Sequence, residues 1–484
     1  MSSSLAPLLA ERGPIRSVGV VGMGYVGIPA AVLFAHSPGM ERVLGFQRDS
    51  PSSGFKIGML NRGESPLKGE EPELESLIAE AVRSGRFACT PDFSRVGECD
   101  AVTLAIQTPF ADPSDLLPDF GPLFDGIRKV GEHLERGMLV VLESTVTPGT
   151  TVGPARELLE EASGLRAGTD FALAHAPERV MVGRLVRNIR EHDRIVGGID
   201  PPSTERAAEL YRHVLTTGRI IPMTATAAEV TKTAENTLRD LQIAAVNQLA
   251  LYCEAMGVNV YDVRDGVDSL KGEGITRAVL WPGAGVGGHC LTKDTYHLER
   301  GAHTLGKDIL DFPDDLMSLY VVARRINEFM PSHMARLTSD GLARTGRRLD
   351  GARIALLGWA FIGNSDDARN PPAEPFRDLV IASGAEVRVH DPHVHSYPGV
   401  PISRDLDGVF EGADAVVIFT SHDEYRSLDP VRTRHLSGHE HPVIVDGRNM
   451  VDPDAFIGVG WIYKGIGRGD RNEHPVAWLD RRTS

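Results

Sequence analysis

One cysteine lies in the segment Pro282 to Asp294, PGAGVGGHCLTKD, where residue types and spacing suit covalent chemistry. Cys290 follows Gly283, Gly285, Gly287 and Gly288, and Lys293 and Asp294 come three and four positions later. Glycines let backbone approach a ligand with no Cβ in the way. A helix opening near Cys290 would place Asp294 one turn along the same face, and its N-terminus would favour a thiolate. This is the pattern of an activated nucleophile with a carboxylate base in reach. It is equally the pattern of a structural cysteine behind a glycine-rich turn, so the rest of the chain must decide.

A second chemical signal lies near the start. Ser17 to Gly27, SVGVVGMGYVG, is an apolar run ending in a glycine turn, followed by the helix-like IPAAVLFAHS. Strand, G-x-G-x-x-G and helix in that order form a dinucleotide-binding fingerprint. Gly22 permits the tight turn, Gly24 lets the pyrophosphate approach and Gly27 lets helix pack on strand. Tyr25 and Val26 complete the candidate cofactor loop. The helix N-terminus adds N–H donors and a positive dipole for phosphate. An acid at the end of the next strand, about 20 residues on, would grip the adenosine ribose. Here Arg42 to Phe46 is followed by Gln47 and Arg48, then Asp49. Glutamine can still bond a hydroxyl and arginine can accept a 2′-phosphate, so NAD is the favoured cofactor and NADP is not excluded.

Further strands should deliver residues to the same edge. Asp100 to Ile106 ends in QTPF, bringing Thr108, and Met138 to Glu143 ends in STVTPGTT, bringing Ser144 and Thr145. The two hydroxyls could be N-caps or ligand contacts, since ligands in such sheets bind at strand carboxyl ends. Phe171 to His175 leads into APERV with Glu178 and Arg179. Taken alone, a glutamate there reads as a solvated loop residue. DRIVGG, Asp193 to Gly198, closes the first domain.

A long amphipathic helix is expected from Ala225 to Gly257, with apolar residues at helical spacing. Lys232 and Asn236, four apart, share a face and, turned to a cleft, could hold a developing oxyanion. Such a helix buries a stripe against something large, for which a two-fold partner is the favoured occupant. Another helix is expected from Leu316 to Glu328, ending before Met330-Pro331. Beyond it, Arg353 to Gly363, Glu386 to Pro392 and Ala413 to Thr420 echo the first three strands. The turn after Gly358 lacks the second and third glycines, so a nucleotide-like ligand is expected there instead of a dinucleotide. Arg369 and Arg448, in strand-end loops, suit phosphate contact or surface ion pairs. His393 and His395 are expected to be solvated in a turn.

Bulk properties bound the partners. A chain of 484 residues exceeds one core, and about three domains is the length expectation. The net charge of −15 argues against nucleic acid or an anionic membrane as partner. Cys89, Cys99, Cys253 and Cys290 show no paired spacing and the histidines do not cluster, so neither disulfides nor a metal is expected. The opening MSSSLAPLLAERGPIR reads as a loose tail, as does the end beyond Arg468, and no run reaches the ~18 apolar residues of a membrane span. The expectation is a cytoplasmic protein.

GMGYVG, the QTP strand end, STVTPGT, APER, the Lys232/Asn236 helix, GVGGHCLTKD, GWAFIGNSDDAR and DGRN, in this order, resemble the UDP-glucose/GDP-mannose dehydrogenase family from about Ser17 to Gly467. The resemblance implies an α/β fold: two doubly wound Rossmann-like domains joined by a central helical domain with one long helix. The expected divisions are an NAD domain (1–215), a helical dimerisation and catalytic domain (216–330) and a nucleotide-sugar domain (331–484), forming a homodimer through the long helix. It implies four-electron oxidation of a sugar C6 alcohol to a carboxylate with two NAD. Cys290 would attack the intermediate aldehyde and pass through a thioester. Lys232 and Asn236 would stabilise oxyanions, Asp294 and Thr145 would orient water, and Glu178 would assist hydrolysis. Lys293 falls on a cofactor- or substrate-side position, Gly287 and Arg179 fall on substrate-side positions, and Arg369 and Arg448 match positions of substrate or subunit contact. Val182 stands where the glucose branch often carries a second glutamate, and Ile362 where a lysine is common. GGHC, with His289, is most similar to the UDP-N-acetylmannosamine branch. UDP-glucose, UDP-N-acetylglucosamine and GDP-mannose are the alternative substrates. A two-electron hydroxyacid dehydrogenase and a non-catalytic nucleotide-sugar sensor are the rival functions.

Overall fold

A computed structural model describes residues 5–67, 71, 73–112, 117–181, 183–270, 279–288, 290–304 and 318–472. Val182, His289 and Leu316, weighed above, lie outside the described residues. The chain groups into two compact units: Met1–Glu235 with Tyr296–Asp311, and Asn236–Thr295 with Phe312–Ser484.

The first unit holds an eight-stranded sheet. Its strands are β1 (Ser17–Val21), β2 (Arg42–Phe46), β3 (Phe87–Thr90), β4 (Ala101–Leu104), β5 (Leu139–Leu142), β6 (Ala172–His175), β7 (Arg194–Gly198) and β8 (Ile220–Thr224). Their spatial order is β8-β7-β6-β5-β4-β1-β2-β3. The first six strands thus take the 3-2-1-4-5-6 order of a dinucleotide fold, which opens a crevice where the order reverses between β1 and β4. β4, β5 and β6 are buried at every position, which is why they read as continuous apolar runs without alternation. β7 pairs antiparallel with β6, so β7 and β8 run opposite to the other six strands. DRIVGG is not the last strand of the sheet, because β8 adds parallel to β7.

The N-terminal segment is not a loose tail. Leu5–Arg12 is a helix with Leu5 and Leu9 buried. Each buried leucine contributes about 2 kcal/mol, and the Arg12 guanidinium donates to Cys99 O (3.0 Å) and Arg136 O (2.7 Å). Eight residues with one proline are easily passed over, and the docking is what makes them a helix.

The second unit repeats the plan with six parallel strands: β9 (Arg353–Leu357), β10 (Glu386–His390), β11 (Ile402–Ser403), β12 (Ala415–Ile418), β13 (Val443–Asp446) and β14 (Ile462–Gly465). Their order, β11-β10-β9-β12-β13-β14, is again 3-2-1-4-5-6. The helix expected to stop before Pro331 instead spans Leu319–Ala343 with Pro331 inside and buried. Its C-terminal half packs on β13 and β14, and that burial offsets the backbone bond the proline removes. The end of the chain is tied down as far as Asn472, whose amide exchanges hydrogen bonds with Gly465 (2.7 and 2.9 Å). His393 is not simply solvated: its ring lies 4.9 Å from that of His422, while His395 is exposed.

The long helix spans Ala225–Ala255. Among the described residues, no helix is long and apolar enough to cross a membrane, and no group of three His, Cys, Asp or Glu side chains could hold a metal ion.

Candidate active site

In the first unit, the glycine turn after β1 has the geometry of a phosphate cradle. Gly22 has φ +99°, and a Cβ there would meet Ala105 O at 2.6 Å. A Cβ on Gly27 would meet Gly22 O at 2.1 Å, whereas one on Gly24 would meet nothing within 4 Å. Gly27 is therefore a packing glycine, and Gly24 leaves its backbone open to approach. Tyr25 and Val26, half-buried, lead into the Gly27–His36 helix. Beside the turn is a cavity of about 290 Å³ lined by Gly22, Gly24, Gln47, Arg48, Lys56 and Lys129, among others. A dinucleotide fits this donor set: an open glycine backbone, a helix start and surrounding cations.

Gln47 does more than fill the ribose position. Its Oε1 accepts from Met23 N (3.1 Å) and its Nε2 donates to Ser53 Oγ (2.9 Å). Lys56 Nζ donates to Met23 O (2.8 Å), so both side chains brace the glycine turn. Burial lowers the pKa of Lys56, opposed by the charge of Cys89. Thr108, buried, donates its hydroxyl to Thr145 O (2.8 Å). Ser144 Oγ donates to Ile106 O (2.6 Å) and accepts from Ile106 N (2.9 Å). The two strand-end loops are thereby stitched together, with Thr145 half-buried between them. Neither hydroxyl is an N-cap, because the next helical turn begins only at Thr151.

Glu178 is not a solvated loop residue. Its side chain is 7% exposed and forms an ion pair with Arg194. Arg194 Nη2 also donates to Glu143 Oε1 (2.8 Å) and Ala176 O (3.1 Å). The guanidinium lies 4.1 Å from the ring centroid of Tyr211, whose hydroxyl donates to Glu143 Oε1 (2.7 Å). Burial, reinforced by Glu143, pushes the Tyr211 phenol well above its ordinary pKa. Arg194, Glu143 and Tyr211 had no sequence signal. Arg194 opens β7, and only the antiparallel direction of that strand brings its first residue to the edge where β5 and β6 end.

His175, at the end of β6, is fully buried, and among the described residues neither ring nitrogen has a hydrogen-bond partner. Burial, aided by the charges of Arg194 and Lys232, drives its pKa down to about 3, so the ring is neutral near pH 7. Lys232 itself is buried on the long helix. One turn earlier, Glu229 accepts from Thr151 N (2.8 Å), Thr151 Oγ1 (2.6 Å) and Gly149 N (2.5 Å). It fastens the TPGT loop after Thr145 to the helix that carries Lys232. Arg179 is engaged within the unit, hydrogen-bonding Asp193 O and lying 3.7 Å from Glu235.

In the second unit, Cys290 is exposed and stands at the start of the Leu291–Thr304 helix. Its carbonyl accepts from Asp294 N (2.8 Å) and Lys293 N (3.0 Å), so the first turn closes on the cysteine. Asp294 is fully buried. Its Oδ2 accepts from Asn236 Nδ2 (2.5 Å), and Lys293 Nζ lies 3.3 Å from its Oδ1. Three of the expected side chains, Lys293, Asp294 and Asn236, therefore meet at the helix start that follows Cys290.

The glycine loop before the cysteine is pinned at several points. Gly283 N donates to Asn247 Oδ1 (2.9 Å), and Asn247 in turn bonds Asn327, which bonds Asp240. Ala284 N donates to Gly447 O (3.1 Å), and Arg448 Nη2 to Gly285 O (3.3 Å). Gly288 N donates to Arg369 O (2.9 Å), and Asn370 Nδ2 returns a bond to Gly288 O (3.2 Å). A Cβ on Gly287 would meet Phe361 Cβ at 2.5 Å and Asn370 O at 2.7 Å, so that glycine is a packing requirement. The Arg369 guanidinium is held by Asp367 (2.5 and 2.8 Å). Asn247, Asn327 and Asn370 are supporting residues that carried no sequence motif.

Asp391 occupies, in the second sheet, the place of a ribose-binding acid, yet it is closed off. Its oxygens accept from Trp359 N (2.7 Å), Ala360 N (2.9 Å), His393 N and Val394 N (both 2.8 Å), and His422 Nε2 lies 3.1 Å away. Burial alone would raise its pKa, but the His422 hydrogen bond and charge, with the backbone donors, outweigh it and hold the carboxyl well below its usual range. An acid so occupied has no capacity left for a ribose hydroxyl.

Models of the UDP-glucose/GDP-mannose dehydrogenase family match along the chain: its NAD binding domain over residues 16–215, its central domain over 226–327 and its UDP binding domain over 355–453. The crystal structure of NDP-N-acetyl-D-galactosaminuronic acid dehydrogenase from Methanosarcina mazei Go1 is 67% identical, covering 98% of this chain and 100% of that one, with a TM-score of 0.89. UDP-N-acetyl-D-mannosamine dehydrogenase of Pyrococcus horikoshii is 38% identical over 453 residues, 94% of this chain and 99% of the relative. The structure of a UDP-glucose dehydrogenase from Pyrobaculum islandicum is 30% identical, covering 94% and 99% of the two chains, with a TM-score of 0.78.

Proposed function

The chain belongs to the UDP-glucose/GDP-mannose dehydrogenase family, an NAD-dependent oxidoreductase of nucleotide sugars, and on that premise we propose that it oxidises the C6 alcohol of a UDP-N-acetylhexosamine to the uronate. The favoured substrate is UDP-N-acetylmannosamine, the substrate named for the Pyrococcus horikoshii relative. A galactosamine epimer is the second reading, favoured by the 67% identity to the Methanosarcina mazei protein. Bound through the first glycine turn, NAD+ would accept the hydride released in each of two oxidations.

The observation that carries the mechanism is the helix start at Cys290, with Asp294 buried one turn on and bonded to Asn236. Cys290 Sγ adds to the C6 aldehyde as a thiolate, and the carbonyl oxygen takes up a proton, giving a thiohemiacetal. Loss of hydride from C6 and of the hydroxyl proton leaves a thioester. Water then adds to the carbonyl, the C–S bond breaks, and the thiol and carboxylate are released. Holding the aldehyde on sulfur keeps it from leaving and presents a tetrahedral donor carbon to the second oxidation. Asn236 and Lys232 supply the amide and ammonium that stabilise oxygen charge. Asp294 and Thr145 orient water, and Glu178 takes part in hydrolysis. Arg369 and Arg448 border the substrate loops.

A homodimer through the long helix accompanies this reading. Leu238, Ala245 and Tyr252 recur seven apart on its exposed face, with Tyr252 63%, Met256 59% and Leu238 54% exposed. An apolar stripe at that spacing suits a two-fold partner.

The test counts NADH per uronate across UDP-N-acetylmannosamine, UDP-N-acetylgalactosamine, UDP-N-acetylglucosamine, UDP-glucose and GDP-mannose. Two equivalents and no uronate from Cys290→Ser are expected. One equivalent would point to a two-electron enzyme, and no reduction with any sugar to a sensor.

A further inference from the structure

We propose that the adenosine end of the cofactor cavity accepts a 2′-phosphate, so that the protein uses NADP as well as NAD. The proposal rests on the dehydrogenase reading above and extends it to cofactor choice. In this fold the side chain after the second strand decides between a ribose hydroxyl and its phosphate, because a carboxylate there accepts from the hydroxyl and repels the phosphate. Here the position is Gln47, and both ends of its amide are occupied by Met23 N and Ser53 Oγ. There is accordingly no charge to repel phosphate, and the amide oxygen is already engaged by a backbone donor.

The groups that remain favour an anion. Arg48 and Lys56 both line the cavity. Lys129 lines it too, balanced by Asp125 at 2.8 Å. Arg48 is exposed, and its planar guanidinium offers the two-point geometry that phosphate oxygens take. The next turn carries three hydroxyls, with Ser50 Oγ 2.8 Å from Ser53 Oγ and 3.4 Å from Ser52 Oγ. Of the two acids near it, Asp125 lines the cavity paired with Lys129, and Asp49 does not line it. The Asp49 Oδ1 is folded over Gly54, 2.4 Å from where a Cβ would stand. In a chain of net charge −15, the crevice is a local positive island.

The experiment titrates the purified full-length protein with NADPH and NADH, following their fluorescence, with no sugar present. NADPH is expected to bind no more than about 30-fold more weakly than NADH. Arg48→Ala is expected to weaken NADPH at least about 10-fold more than it weakens NADH, the loss of a charge-assisted contact. Gln47→Asp, which restores the acid, should weaken NADPH by a similar factor. NADPH binding beyond the 30-fold limit, or Arg48→Ala weakening both cofactors alike, would overturn the proposal. Because no sugar is added, inactivity across the sugar panel would sink the dehydrogenase reading and leave this test standing. Rejection of NADPH by an enzyme active with NAD would sink this proposal alone.

Discussion

Replacing Arg194 by methionine is the sharpest test of how the first unit holds Glu178. The guanidinium is 7% exposed and lies between two carboxylates that are 7% and 1% exposed. Its removal strands two buried negative charges, and breaking a buried pair this way costs about 3–5 kcal/mol. The lost stacking over Tyr211, at 4.1 Å, adds about 1 kcal/mol, offset in part by burial of the methionine. The net expectation is about 4 kcal/mol, or roughly a thousand-fold in the equilibrium for opening this region. Native-state hydrogen exchange of the amides of β6 and β7 reads that equilibrium directly. Adding Glu143→Gln to the variant removes one stranded charge and should recover at least about 1 kcal/mol, because neighbouring groups couple. Acceleration of exchange by less than about five-fold in Arg194→Met, or no recovery in the double variant, would refute the reasoning.

Other consequences are equally direct. Burial pushes the Cys89 and Cys99 thiols up to about 12 and raises Cys253, so iodoacetamide at pH 8 should alkylate Cys290 alone; mass mapping that finds another cysteine modified first would contradict this. Asp391 has a depressed pKa in the fold, so its contribution is present above its ordinary value of about 4 and is lost as pH falls through the folded value. Asp391→Asn should lose about 2–4 kcal/mol at pH 7, with the gap to wild type closing toward acid in urea titrations at several pH values. Gly287→Ala should lower turnover by about 10-fold or more, since the added methyl must displace Phe361 or Asn370 from the cysteine loop; steady-state kinetics at saturating cofactor checks it.

Much of the fold was legible because its signals are local. The glycine turn spans six residues, Gly22 to Gly27, and Gly27 answers a constraint set within that span by Gly22 O. The long helix was readable from apolar spacing, and the second doubly wound unit from its echo of the first. Errors arose where packing overrode local preference. Pro331 sits inside a continuous helix because buried contacts compensate it, and Leu5–Arg12 is helical because two leucines dock. Asp391 stands where a ribose acid would, but His422, 31 residues away, claims it, a pairing with no local signal.

By itself the amino-acid order determined the candidate groups and their local presentation: a cysteine behind glycines, a carboxylate one turn on, and a glycine turn opening a helix. These follow from backbone geometry over a few residues. Only the tertiary structure decided which charges meet. Whether Arg194 reaches Glu178 depends on one strand running against its neighbour, and whether Asn236 reaches Asp294 depends on two helices 58 residues apart along the chain coming together. Such pairings are set by burial and strand direction across long sequence separations, and no short pattern encodes them.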